Sequence, residues 1–140
     1  MKRLLFTTLF VICTVHAARA EPLDCSTKPE KEDLHARVVL DIQNGKVQEF
    51  IYYSKFIPFT CSIDSVRGSS WKDSGNKTAI NLGNGQVEIT KLNDEHLISF
   101  INVDRAKFCK MPSGKLNGTF VIKKDKSCYE KDGLMARTSS

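Results

Sequence analysis

Long apolar runs, proline, glycine, histidine and tryptophan are all scarce in this sequence, and the short motifs of catalysis are missing. Four prolines and eight glycines in 140 residues exclude a collagen-like chain, and a 41% hydrophobic content beside them excludes disorder. The length fits one small globular domain and is too short for a multidomain enzyme. No stretch after residue 20 approaches the roughly 20 apolar residues a transmembrane helix needs. There is no G-x-S-x-G, no H-E-x-x-H, no P-loop and no G-x-G-x-x-G. Gly83-Asn84-Gly85 reads as a hairpin turn, because a dinucleotide site needs a strand, a glycine loop and a helix in that order. No C-x-x-C pair occurs and no histidine stands at ligand spacing from a cysteine, so neither a metal nor a cofactor is expected.

What is present begins with a leader. Residues 1–20 combine a basic start at Lys2 and Arg3, an apolar run from Leu4 to Val15, and the small-residue site Ala18-Arg19-Ala20. This is the pattern of a secretory signal peptide, cleaved after Ala20, and it predicts a periplasmic or secreted protein. Its removal changes the charge. The whole chain carries 21 basic and 16 acidic residues; without Lys2, Arg3 and Arg19 the basic count is 18 and the net charge +2. Cys13 and His16 leave with it, so the expected product holds four cysteines, Cys25, Cys61, Cys109 and Cys128. An even number in an exported chain predicts two disulfides. Of the three pairings, Cys25 with Cys61 and Cys109 with Cys128 is the expectation. The second bond would tie a hairpin suggested by Pro112-Ser113-Gly114 and Asn117-Gly118.

Residues 21–34 are polar and lack periodicity, and read as an extended lead-in. Residues 35–132 form a single β-rich domain, and 133–140 a frayed tail. Within the domain, alternation broken by turn signals predicts strands. Asn44-Gly45 suits a two-residue turn, which would set Ile42 against Val47, Val38 against Ile51 and Leu40 against Glu49, the last mismatch pointing to a bulge or to a buried polar group at the edge. A second unit, residues 78–102, reads as a three-strand meander. Its expected pairs are Leu82 with Val87, Ile80 with Ile89, Ile89 with Ile98 and Val87 with Phe100. One face of that meander is apolar and needs a second layer, for which the first hairpin, residues 119–122 and the 100–103 end are the candidates. The expected fold is therefore mainly all-β, a small antiparallel sandwich or barrel stapled by two disulfides.

Two segments stand out as binding surface. Residues 50–59, FIYYSKFIPF, hold five of the ten aromatics outside the leader. Neighbours in a strand point to opposite faces, so Tyr52 and Tyr53 cannot both be core. One of them, with Lys55 and Phe56, is expected to face a protein partner. Between residues 107 and 131, seven lysines oppose Asp125 and Glu130, a local balance of +5. Lys110, Lys115, Lys123, Lys124 and Lys126 are the candidates for contact with an acidic protein or another anionic surface. Nucleic acid is not expected, since there is no arginine cluster and no recognised binding motif. Two acceptor patterns for N-glycosylation, at Asn76 and Asn117, carry meaning only in a eukaryotic host.

The histidines His35 and His96 sit in polar surroundings beside acids, without a nucleophile in sequence reach, and no catalytic residue is assigned. The expected function is an exported binding module, an inhibitor or immunity-type protein that occupies another envelope or secreted protein. Two alternatives remain: a structural or surface subunit that assembles by strand addition, and a small hydrolase with scattered carboxylates.

Overall fold

A computed structural model describes residues 22–27 and 34–131 of the chain, and within them the alternation builds ten strands and one short helix. The strands are β1 (Leu23–Ser26), β2 (Leu34–Gln43), β3 (Lys46–Phe56), β4 (Phe59–Val66), β5 (Trp71–Ser74), β6 (Lys77–Asn81), β7 (Gln86–Lys91), β8 (Glu95–Asp104), β9 (Lys115–Lys123) and β10 (Cys128–Glu130), with α1 (Arg105–Phe108) after β8. All neighbours are antiparallel. They form a four-stranded sheet in the order β1-β2-β3-β4 and a six-stranded sheet in the order β10-β9-β8-β7-β6-β5. The segments read as a signal peptide, residues 1–20, and as a frayed tail, residues 133–140, lie outside the described residues.

The two sheets face each other across one core. Ala36, Val38, Leu40, Phe50, Tyr52 and Ile63 come from the smaller sheet, and Ile80, Val87, Ile98, Phe100, Phe120 and Ile122 from the larger. Rings join the layers at the centre: Phe100 lies 4.6 Å from Tyr52 and 6.2 Å from Phe50, centroid to centroid, with both pairs tilted. These alternate residues are buried because period-two side chains share a face, and a two-layer fold leaves each sheet one dry face.

The first hairpin follows the sequence up to its bulge. Ile42 pairs with Val47, but the register shifts between Asp41 and Ile42. Gln48 is the extra residue, so Leu40 meets Phe50 rather than Glu49, and Val38 meets Tyr52 rather than Ile51. In the meander, Ile89 pairs with Ile98 and Val87 with Phe100 as expected. The β6–β7 pairing is two residues away from expectation: Ile80 meets Val87 and Thr78 meets Ile89. The cause is a four-residue turn in which the Leu82 N–H donates to the Gly85 carbonyl (3.0 Å), in place of a two-residue Asn-Gly turn. Gly85 has φ +116° there, and a Cβ would run into the Asn102 carbonyl. Residues 119–122 belong to β9, beside β8 in the meander's own sheet, and not to the opposite layer. Asn117-Gly118 makes no turn; it lies inside β9, opposite the irregular stretch between Phe100 and Val103.

The disulfides are Cys25–Cys128 and Cys61–Cys109, which overturns the expected pairing. One bond runs between the sheets, and the other ties the smaller sheet to the β8–β9 connection. Cys25 on edge strand β1 joins Cys128 on edge strand β10, and Cys61 on the opposite edge, β4, joins Cys109 just past α1. Sequence neighbours Cys109 and Cys128 end on different sides of the core, so no hairpin tie between them exists. Two such bonds in so short a chain suggest an oxidising, extracellular compartment, and among the described residues no helix is long and apolar enough to cross a membrane.

Near the chain crossing from one sheet to the other, Arg67 acts as a clamp. Its backbone N–H donates to the Gln48 carbonyl (2.8 Å), its Nε to the Val47 carbonyl (2.8 Å), and its two terminal nitrogens to Asp73 (2.9 and 3.1 Å). The same guanidinium lies 5.2 Å over the Trp71 ring, whose Nε1 donates to Ser65 Oγ (2.9 Å).

Candidate protein-binding surface

Alternation along β3 decides which tyrosine is available. Tyr52 points inward and is fully buried, while Tyr53 is 36% exposed on the outer face. Tyr52 therefore belongs to the core and is no surface contact. Burial pushes its phenol well above the ordinary tyrosine range; the nearby Ser54 hydroxyl opposes the shift, and the Glu130 charge adds to it. The Tyr52 hydroxyl oxygen is buried without a hydrogen bond of proper geometry. Arg105, buried at the start of α1, also acts on that phenol.

On the outer face, Tyr53 stands between Arg37 of β2 and Ser62 of β4 in the sheet register, and its ring lies 5.7 Å from His35. Arg37 is held by Asp24 of β1, an exposed pair whose Nε–Oδ1 distance is 2.8 Å. The Arg37 hydrogen bond holds the Asp24 carboxyl below its usual range. Lys55, half-buried, follows in the next row between His35 and Thr60. Phe56 closes β3 opposite Phe59 in the backbone pairing, and its side chain is outside the described residues. The β3–β4 tip carries Ile57, 50% exposed, and the exposed Pro58, joined by a cis peptide bond.

The lysine-rich segment does not form one patch. β9 runs nine residues, about 25 Å at the rise of an extended strand, and the lysines divide between its ends. Lys115 opens β9, and Lys107 and Lys110 precede it, all three exposed at the end of the sandwich that carries the β3–β4 tip. Lys123 closes β9, and Lys124 and Lys126 follow in the turn to β10 at the far end. There the lysines are interleaved with acids. Glu95 pairs with Lys123 in the register, Asp94 Oδ1 is 4.0 Å from Lys124 Nζ, and Asp125 caps its own turn by accepting from Ser127.

The near end is different because α1 and a disulfide hold it. Asp104 caps α1, accepting from the Ala106 N–H (2.9 Å), and the Arg105 N–H donates to the Gly114 carbonyl (3.0 Å). Lys107 Nζ donates to the Leu82 carbonyl (3.3 Å) and lies 5.1 Å over the Phe108 ring. The Cys61–Cys109 bond then fixes this helix to β4, six residues after Lys55. Two segments singled out separately in the sequence, the aromatic one and the first half of the basic one, are thus brought to one end of the molecule. Ile57, Pro58, Lys107, Lys110 and Lys115 are all exposed, and Asp104, next to α1, is occupied as its cap. Ile57 had no signal of its own in the sequence, since an isoleucine inside an aromatic run reads as strand core.

Among the described residues, no three His, Cys, Asp or Glu side chains converge to hold a metal ion. His35 packs on Tyr53, and His96 is half-buried at the far end. Comparison with protein-family models, with curated proteins and with solved structures finds no match.

Proposed function

We propose that this chain is an exported binding protein, released from its leader into the periplasm or the medium, where it occupies another protein as an inhibitor or immunity factor would. One observation carries this reading: the Cys61–Cys109 bond ties β4, which follows the exposed apolar tip of Ile57 and Pro58, to the segment that carries the exposed Lys107, Lys110 and Lys115. Apolar anchors with a charged rim are the anatomy of a protein interface, and pre-organisation lowers the ordering cost of association. The charge favours an acidic partner surface, since complementary potentials steer encounter.

The test is affinity capture from the producing cell's own envelope and medium. Wild-type protein should retain one dominant partner, and Tyr53→Ala together with Ile57→Asp should lose it while melting within a few degrees of wild type. Retention by the folded variant rejects the surface.

A second reading, assembly by strand addition, draws on the free edge of β4. In the antiparallel pairing with β3, the backbone groups of Thr60, Ser62, Asp64 and Val66 point away from the sheet. A donor would have to come from elsewhere, because Leu23–Ser26 of the lead-in is already paired with β2 and tied through Cys25. Concentration-dependent mass by sedimentation separates this reading from the first.

A further inference from the structure

The far end of the sandwich holds a groove of about 130 Å³ between the β2–β3 turn and the β5–β6 turn. Its floor is apolar, formed by Ile42, Val47 and Ile89, and its rim carries Lys46, Asp73, Lys91 and His96. The negative charge on that rim is already matched. Asp73 receives the Arg67 fork on both oxygens, and Thr78 Oγ1 donates to Oδ1 (2.8 Å). These bonds, with help from Lys46, hold the Asp73 carboxyl below its usual range. The positive charge is not matched. Neither Lys46 nor Lys91 forms an ion pair with a described residue. Nor does the half-buried His96 ring take a hydrogen bond from or give one to any of them, while burial and Lys91 lower its pKa. Two lysines from β3 and β7 and an imidazole from β8 therefore surround a small apolar floor with unused donors.

We propose that this groove binds a small organic carboxylate, with a short hydrocarbon group on the Ile42–Val47–Ile89 floor and the carboxylate between Lys46, Lys91 and His96. The volume suits a group of a few carbons, since a cavity of about 150 Å³ holds a benzene ring. Charge-assisted bonds in a partly dry groove distinguish a carboxylate from a neutral amide of the same shape. The same chemistry is offered by a free branched-chain acid and by the C-terminus of a peptide ending in a small apolar residue. The site lies at the opposite end from the proposed interface, so it stands or falls independently of it.

The experiment is a titration of isotope-labelled protein with isobutyrate, isobutyramide, and a tetrapeptide ending in valine as free acid and as amide. The readouts are the His96 ring signals and the Val47 and Ile89 methyl signals. Isobutyrate should give saturating shifts confined to these groups, with isobutyramide at least about tenfold weaker. Lys46→Gln and Lys91→Gln, at exposed positions, should each weaken isobutyrate about tenfold without disturbing methyls of the core. Tighter binding of the peptide acid than of isobutyrate identifies a chain terminus as the ligand, and the reverse identifies a free acid. Shifts that do not saturate, an amide that binds equally well, or variants that bind unchanged overturn the proposal.

Discussion

Cys61, near the start of β4, is bonded to Cys109, immediately after α1, across 48 residues of sequence. That single bond joins the aromatic segment to the lysines at 107–115. Closing a loop of this length limits the unfolded chain by about 4 kcal/mol in the chain-entropy limit, and the 103-residue separation of Cys25 and Cys128 by about 5. Non-reduced peptide mapping should recover both linkages, and the double variant Cys61→Ala/Cys109→Ala should lose stability of that order in denaturant titration. A Cys25–Cys61 peptide contradicts the pairing.

Tyr52 and Tyr53 are neighbours with opposite fates. Tyr52→Ala empties core space against Phe100 and should cost about 3 to 5 kcal/mol, whereas Tyr53→Ala, at the surface, should stay within about 0.5. Tyr52→Phe removes a hydroxyl that makes no hydrogen bond, so it should be neutral or mildly stabilising. A large loss in Tyr52→Phe would show that a bound water satisfies the hydroxyl.

The same phenol makes alkaline stability fall. Its folded-state pKa is raised, so as pH climbs past about 10 the unfolded state releases the proton first and gains ground. Ultraviolet titration should show one of the three tyrosines ionising only as the protein unfolds, and Tyr52→Phe should abolish that coupling.

His96 works in the acid range. Its folded pKa is lowered by burial and Lys91, so below pH about 6.5 the unfolded state takes up a proton before the folded state does. Stability attached to this group is present above that pH and declines as pH falls through the window beneath it. Because the ring is only half-buried, the slope should be shallow. His96→Gln should flatten the melting temperature against pH below about 6.5; an unchanged profile counts against the burial of the ring.

Gly85 sets the β6–β7 register. Its φ of +116° and its approach to the Asn102 carbonyl leave no room for a side chain. Gly85→Ala should cost at least about 1 to 3 kcal/mol in thermal or chemical unfolding. Gly75, at φ +59° with open space around it, should lose only about 1 to 2 on the same change.

What the sequence made legible was whatever depends on neighbours. Period-two alternation and Asn44-Gly45 specify the first turn, and the Leu40–Glu49 mismatch left a bulge or a buried polar group, of which the structure has the bulge. Alternation also requires that one of Tyr52 and Tyr53 be buried, but which one depends on the parity that Gln48 imposes on β3. The Leu82–Val87 pairing failed by two residues because Gly85 closes against Asn102, a contact seventeen residues away. Cysteine pairing failed for the same kind of reason: which edges meet is decided by the stacking of two sheets. The division of the lysines follows from the length of β9, and the groove at Lys46, Lys91 and His96 draws on six strands, so neither leaves a local mark.

The most direct measurement of the proposed interface is affinity capture of the native partner by two charge-reversal variants at opposite ends of β9. Lys107→Glu/Lys110→Glu should abolish capture, and Lys123→Glu/Lys124→Glu should preserve it, with both melting near the wild type. Equal capture by the two, or loss only in the far-end variant, contradicts an interface built on the Cys61–Cys109 staple.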